Sequence, residues 1–481
     1  MTILQNKTDN LKRNIITAVL ATTTCLFAVL PLYFEIHSIM AYNIVLAAGL
    51  FVCCIVRIDF LRLRDFWKRD AQLFIPLVLF VILLGVSMIS HGEIKNYVVS
   101  YLFQFIGPIL LFFFFAEDRK QLNTVIDILI VFSSVICIFG IVEFFTRFNV
   151  WSLVENVKLE GELAGSVSFE RNGFYRIEQS FQQCIPYASY LIAVVALAWY
   201  RFITNKTKAC RIFYIVAWLL ACLNIVMTYS RFALILVVLI NVIFIFRLKP
   251  KFTAVMIAIV LAVAAAIFFV GWVFDIDFII HNKYIDSFLQ MFNFSAITTE
   301  TATANQRLSV IRIIPERLKN HWMLGVGEVS AKEPFLITSA WPADVLEEYA
   351  NNHPKIPREA VLNATFTYET NSVDNNYLFR ILQYGIVGII AFISYYAGSI
   401  GAVLSGLRAK NNVRFKDVHK RYPLVWYVLI LTIIYLINWL SVAQMSEFRM
   451  YNLIIGMMFA YCRMPENSRI LPDENPSGKD I

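Results

Sequence analysis

The sequence predicts an all-α polytopic membrane protein with about twelve transmembrane helices and one large, partly helical outer loop. Three observations predict it. Of 481 residues, 59% are hydrophobic and only 16% are charged, whereas soluble domains carry roughly 25% charged residues. The apolar residues fall in runs close to the length that crosses a hydrocarbon core. The basic residues fall between alternate runs. A soluble enzyme, a disordered chain and a nucleic-acid binder with a basic face are thereby excluded, because a soluble globule still exposes about a quarter of its unfolded surface.

In chain order the spans are 14–34, 37–56, 71–90, 97–116, 124–145, 182–200, 212–229, 232–246, 252–273, 377–400, 423–441 and 448–462. The first follows Lys7, Lys12 and Arg13, as the core of a signal peptide does. It is long, lacks a cleavage site and runs straight into a second span, so it reads as an uncleaved anchor. Span 232–246 is short and is joined to 212–229 by almost no loop. With the N-terminus inside, the basic loops around Arg57–Arg69, Arg119–Lys120, Arg201–Arg211, Arg247–Lys251 and Arg408–Arg421 all land on the cytosolic side. That agreement is the positive-inside rule, and it places both termini in the cytosol. The eight cysteines (Cys25, Cys53, Cys54, Cys137, Cys184, Cys210, Cys222 and Cys462) lie in spans or at their edges. They read as small buried apolar residues, not as a disulfide framework.

Two connections are long, and both fall outside: 146–181 and 274–376. The chain therefore divides into 1–273 (nine spans with the 146–181 loop), the large outer loop 274–376, three further spans in 377–462 and a cytosolic tail, 463–481, of disordered composition. Long loops in compact proteins are usually functional. Within the larger one, Asn305–Asn320 places Leu308, Ile311, Ile314 and Leu318 at helical spacing, with Arg307, Arg312, Glu316 and Lys319 off that stripe. This is a basic amphipathic helix that lies on a membrane surface or caps the bundle, with a kink expected at Pro315. Ala340–Pro357 is polar, acidic and irregular in composition. No internal repeat is evident.

Four outer-face features could carry chemistry. Arg231, in TYSRFAL, stands between two adjoining spans, where it either snorkels or clamps an anion with its planar fork. Arg307 opens the amphipathic helix, and Arg176 lies in RIEQSFQQCIPYASYL just before a span; each is a solvated loop charge or part of an anionic-lipid site. His321 opens His321-Trp322-Met323-Leu324-Gly325-Val326-Gly327, whose glycines permit a tight turn; it is an interfacial histidine or a base. Asp374, in Asp374-Asn375-Asn376-Tyr377-Leu378, enters a span as a helix cap or as a general base. The pair Asp275 and Asp277 could hold a cation with a diphosphate, but a three-residue pattern is cheap by chance, and no metal site is expected. Metal-spaced histidines, CxxC pairs, a P-loop and GxSxG are absent from the sequence, and no cofactor is expected.

In order and placement, TYSR at 228–231, NQR at 305–307, HWMLGVG at 321–327 and VDNNYLFRILQYGIVGIIAFI at 373–393 resemble the bacterial O-antigen ligase/polymerase superfamily, the Wzy-like polysaccharide polymerases. RIEQSFQQCIPYASYL at 176–191 is similar to that superfamily's stretch before a span. The resemblance covers roughly 175–395 and implies a GT-C-like fold in a bacterial inner membrane. It implies a polyprenyl-diphosphate-linked oligosaccharide donor and a metal-independent, inverting transfer onto a sugar hydroxyl. Arg231, Arg307 and Arg176 are implied to hold the diphosphate, with Asp374 or His321 as base and a chain-length regulator as a potential partner. Ligases carry a histidine immediately before the asparagine that starts the following span. This chain has Asp374 there, which favours a polymerase. A lipid-linked oligosaccharide transporter also fits twelve spans, but such folds usually carry repeats.

Overall fold

The structure, a computed structural model, describes residues 2–31, 34–36, 39–56, 71–154, 158–159, 162–163, 170–171, 174–181, 183–248, 314–327, 335–340, 351, 358, 365–370, 375–411, 415–440 and 448–464. Its helices are α1 (Thr2–Val29), α2 (Ala41–Val56), α3 (Ala71–Ser90), α4 (Ile94–Phe115), α5 (Arg119–Thr146), α6 (Cys184–Thr204), α7 (Lys208–Met227), α8 (Arg231–Leu248), α9 (Asn376–Arg408), α10 (Phe415–Arg421), α11 (Pro423–Asn438) and α12 (Phe448–Arg463). Every expected span except 252–273 falls on one of these helices; 252–273 lies outside the described residues. Six of them (α3, α4, α5, α6, α7 and α9) are long and apolar enough to cross a membrane. Their outward faces match that solvent. Ile75, Val78, Leu79, Ile82, Val86 and Ile89 form an exposed apolar stripe along α3, and Val131, Val135, Ile138 and Val142 form one along α5. Stripes of this length face lipid or a partner, not water.

The chain forms two compact units, residues 1–240 with 390–481, and residues 241–389. In the first, α6 and α12 are buried along almost their whole length. Small residues let neighbours close on them: a Cβ on Gly456 of α12 would lie 2.5 Å from the Pro108 carbonyl oxygen, and one on Gly140 of α5 would lie 2.0 Å from Asn224 Oδ1. Asn224 then ties three helices, donating to the Cys137 carbonyl at 3.0 Å and accepting from the Tyr187 hydroxyl at 3.0 Å. Much of the aromatic content sits in one cluster, in which Phe80, Phe105, Phe392, Tyr395, Tyr396, Trp439 and Phe448 contact one another. Two π-helical stretches, Tyr97–Ile106 and Ser394–Gly398, meet there. The Tyr395 hydroxyl donates to the Phe105 carbonyl at 3.0 Å.

At the other end of α5, Arg201 grips Asp127 with two bonds, at 2.5 and 2.7 Å, and Tyr214 donates to the same carboxylate at 2.7 Å. The guanidinium is nearly buried and the carboxylate is a third exposed. Asp127→Asn keeps the shape and removes the charge. It is expected to lower the stability of the α5–α6–α7 group by about 1–2 kcal/mol, read as a fall in the detergent melting temperature.

The second unit contains the 314–327 segment and the first part of α9. Of the expected amphipathic helix, residues 314–317 are helical and turns continue through 324; 305–313 lie outside the described residues. Ile314 and Leu318 of the expected stripe are buried against Leu382, with Val326, Leu378, Phe379 and Ile381 around them. This end of the stripe packs on α9. An antiparallel two-stranded ladder also runs between Phe335–Ala340 and Thr365–Thr370, which the sequence reading did not anticipate.

Candidate functional site

Two constellations carry the candidate residues, one in each unit. The first lies where α5 and α7 finish and α6 begins. Glu143, one turn before the end of α5, is buried, with 1% of its surface exposed. Its carboxylate accepts from the Tyr175 hydroxyl at 3.0 Å, from the Glu178 and Gln179 amides at 3.1 and 3.2 Å, and from the Gln179 side-chain amide. Burial and the adjacent carboxylate push the Tyr175 hydroxyl far above its ordinary titration range, so it stays a neutral donor. The segment 175–181 is thereby fixed to α5. From that segment Arg176 donates through Nε to the Thr228 carbonyl at 3.0 Å, and the Ile177 amide reaches the Met227 carbonyl at 3.4 Å. Thr228 opens the TYSR turn between α7 and α8, where Tyr229 adopts a left-handed φ of 48°. Two motifs about fifty residues apart in sequence thus share one backbone contact. Among the described residues, no hydrogen bond engages the two terminal amino groups of Arg176.

Arg231 is the first residue of α8, so its backbone position follows directly from the turn that Arg176 holds. Arg307 and Asp374 lie outside the described residues, as do Asp275 and Asp277.

The second constellation joins the other two motifs. Helix α9 is broken at Gly385, with φ 65° and ψ −163°. The segment His321–Gly327 fills the break. The Val326 and Gly327 amides donate to the Leu382 and Gln383 carbonyls at 2.9 and 3.0 Å, and the Ile386 and Val387 amides donate to the Trp322 and Met323 carbonyls at 2.9 and 3.1 Å. Backbone groups freed by a helix break must find partners within protein when they lie at membrane depth, and this clasp supplies them. It needs glycine on both sides. A Cβ on Gly325 would sit 2.4 Å from the Gln383 backbone, and one on Gly385 would sit 2.3 Å from the Met323 oxygen.

His321 is exposed. Its amide donates to Leu318 and its carbonyl accepts from Gly325, both at 2.7 Å, so the turn fixes its backbone. Asn375 caps the start of α9, its Oδ1 accepting from the Leu378 amide at 3.1 Å. Arg380, one turn before the break, is buried between the rings of Phe379 and Tyr384 and donates to Asn376 and Gln383 at 3.0 and 2.7 Å.

Sequence reasoning missed Glu143, Gln179 and Arg380. A signal existed for the first and last, because an ionisable residue inside an apolar run is itself a pointer to function.

Residues 215–393 match the family model described as O-antigen ligase. No curated protein matches the chain. The matched segment contains TYSR, HWMLGVG and the broken first part of α9, and it supports a likeness to the O-antigen ligase/polymerase superfamily, whose members are glycosyltransferase-like membrane enzymes.

Proposed function

We propose that the protein polymerises polyprenyl-diphosphate-linked oligosaccharide repeat units at the outer face of the bacterial inner membrane, with both termini in the cytosol. The observation that carries this reading is the bond from Arg176 to Thr228. It sets a guanidinium whose two amino groups bond none of the described residues beside the turn that leads into Arg231. Arginine forks suit phosphate oxygens, and preorganised positive charge stabilises a leaving diphosphate.

In the reaction, a hydroxyl of the acceptor sugar attacks the anomeric carbon of the donor glycan. The bond from that carbon to the diphosphate oxygen breaks, configuration inverts, and polyprenyl diphosphate leaves with the electron pair. Arg231, Arg176 and Arg307 neutralise the charge that builds on it. The hydroxyl proton passes to Asp374 or His321. The diphosphate bond itself supplies the driving force, which suits a compartment without ATP. A chain-length regulator would act on this product distribution.

Asp374 in place of a histidine before Asn375 favours polymerase over ligase. Deletion of the gene decides between them. Loss of a polymerase leaves single repeat units on the cell surface, whereas loss of a ligase leaves polymer stranded on the polyprenyl carrier. The reading is metal-free, so purified protein is expected to keep its activity in EDTA. Loss of activity restored by a divalent cation overturns that point and returns attention to Asp275 and Asp277.

A further inference from the structure

Arg176 sits on a segment governed by an acid that the family match, starting at residue 215, leaves out. The three described non-glycine residues with positive φ are Arg147 at 56°, Gln179 at 50° and Tyr229 at 48°. All three touch the last turn of α5. The Arg147 amide donates to the Glu143 carbonyl at 2.7 Å, the Gln179 amide donates to the Glu143 carboxylate, and the Tyr229 ring stacks 6.5 Å from Phe144. Left-handed backbone is unfavourable for side chains with a Cβ. It persists only where the surroundings over-determine it, and it concentrates at functional sites.

Gln179 is over-determined in that sense. Its amide and side-chain NH2 both bind Glu143, its carbonyl accepts from Asn149 at 2.8 Å, and its Oε1 accepts from Trp151 at 3.0 Å. Four donors converge on the two carboxyl oxygens of Glu143, which act as acceptors. Without that carboxylate, the Glu178 and Gln179 amides lose their acceptor and the left-handed turn loses what holds it. Arg176 lies three residues before Gln179. Its Nε is committed to Thr228, so the loop position decides where the rest of the guanidinium points.

We propose that Glu143 is a positioning residue for the transfer reaction. It clamps 175–181 in a strained conformation and so aims Arg176, across the Thr228 carbonyl, at the donor diphosphate. The proposal rests on the reading that Arg176 contacts that diphosphate, and the test separates the two.

Full-length protein is purified in nanodiscs, and donor KM and kcat are measured with a polyprenyl-diphosphate-linked repeat unit beside a thermal melt. Arg176→Ala is expected to raise donor KM roughly tenfold, the scale of one charge-assisted contact, with the melting temperature within a few degrees of wild type. Glu143→Ala is expected to raise KM by a similar factor. The double variant Glu143→Ala/Arg176→Ala is expected to be no worse than Arg176→Ala alone, because Glu143 acts only through Arg176.

If Arg176→Ala raises KM while Glu143→Ala lowers only the melting temperature, or if the two losses multiply in the double variant, the positioning role is overturned. If Arg176→Ala leaves KM unchanged, the diphosphate reading of Arg176 is itself wrong. If Glu143→Ala fails to fold, Tyr175→Phe and Gln179→Gly decide. The first removes one donor, and the second removes both the strain and the side-chain anchors. Each is expected to fold and to raise KM several-fold, and unchanged KM in both overturns the proposal.

Discussion

Gly385→Val is expected to give inserted but inactive protein that is less stable than wild type by about 3–5 kcal/mol. Two costs combine. A β-branched residue at φ 65° is strained, by about 1–2 kcal/mol for left-handed backbone alone. In addition, a Cβ there would lie 2.3 Å from the Met323 carbonyl oxygen, an overlap with backbone that no rotamer relieves. The segment 321–327 must back out, and four backbone bonds between it and α9 are lost together. Groups left without partners in a bilayer have no water to turn to. Gly325→Val should behave alike, since its Cβ would strike the Gln383 backbone at 2.4 Å. Gly401, farther along α9, is the control. Nothing lies within 4 Å of a Cβ there, so Gly401→Ala should keep wild-type activity and melt at the same or a slightly higher temperature, alanine being the better helix former. Thermal melts in detergent and membrane-fraction yields read all three. Wild-type stability in Gly385→Val would mean that the clasp contributes nothing.

The same clasp marks the limit of what the sequence reveals. Spans are legible because each is a long apolar run whose flanking charges alternate, and among the described residues the helices follow them. The run 377–400 reads as one span; it contains Gly385 and Gly388, but glycine is common in transmembrane helices and does not by itself announce a break. The partner that fills the break lies sixty residues earlier in the chain. The two segments meet backbone to backbone, so no side chain advertises the pairing apart from the glycines that allow close approach. HWMLGVG and LQYGIVG could each be singled out from sequence, but their union could not.

The first constellation was hidden for a different reason. Arg176 and TYSR were noticed for their charge and their place outside the spans. What joins them is a carbonyl oxygen, that of Thr228, and an acid, Glu143, that lies inside an apolar run. Its signal stands inside a helix, whereas Arg307 and Asp374 stand in the loop predicted over 274–376. Those two lie outside the described residues.

Arg231→Ala is expected to reduce turnover about 10²–10³-fold, the usual loss when one preorganised donor to a developing oxyanion is removed. Arg231→Lys should recover only part of it. The argument runs from the turn. Tyr229 is held in left-handed geometry, the Thr228 hydroxyl donates to the Ile225 carbonyl at 2.6 Å and accepts from the Ser230 amide at 3.3 Å, and Arg176 binds the Thr228 carbonyl. The backbone at the first residue of α8 is therefore fixed. An alanine there removes charge and fork together. A lysine restores a point charge but cannot present two parallel donors to a diphosphate, so its deficit should appear mostly in kcat. Cell-surface glycan ladders give the readout in vivo, with Arg231→Ala leaving single repeats and Arg231→Lys giving short, faint ladders. Full ladders from both variants at normal protein levels would remove Arg231 from the site and return it to a snorkelling role. Because the Arg176 contact fixes the turn, the loss from Arg176→Ala combined with Arg231→Lys should exceed the product of the separate losses. A lysine stem depends more than a guanidinium fork on the backbone being held still.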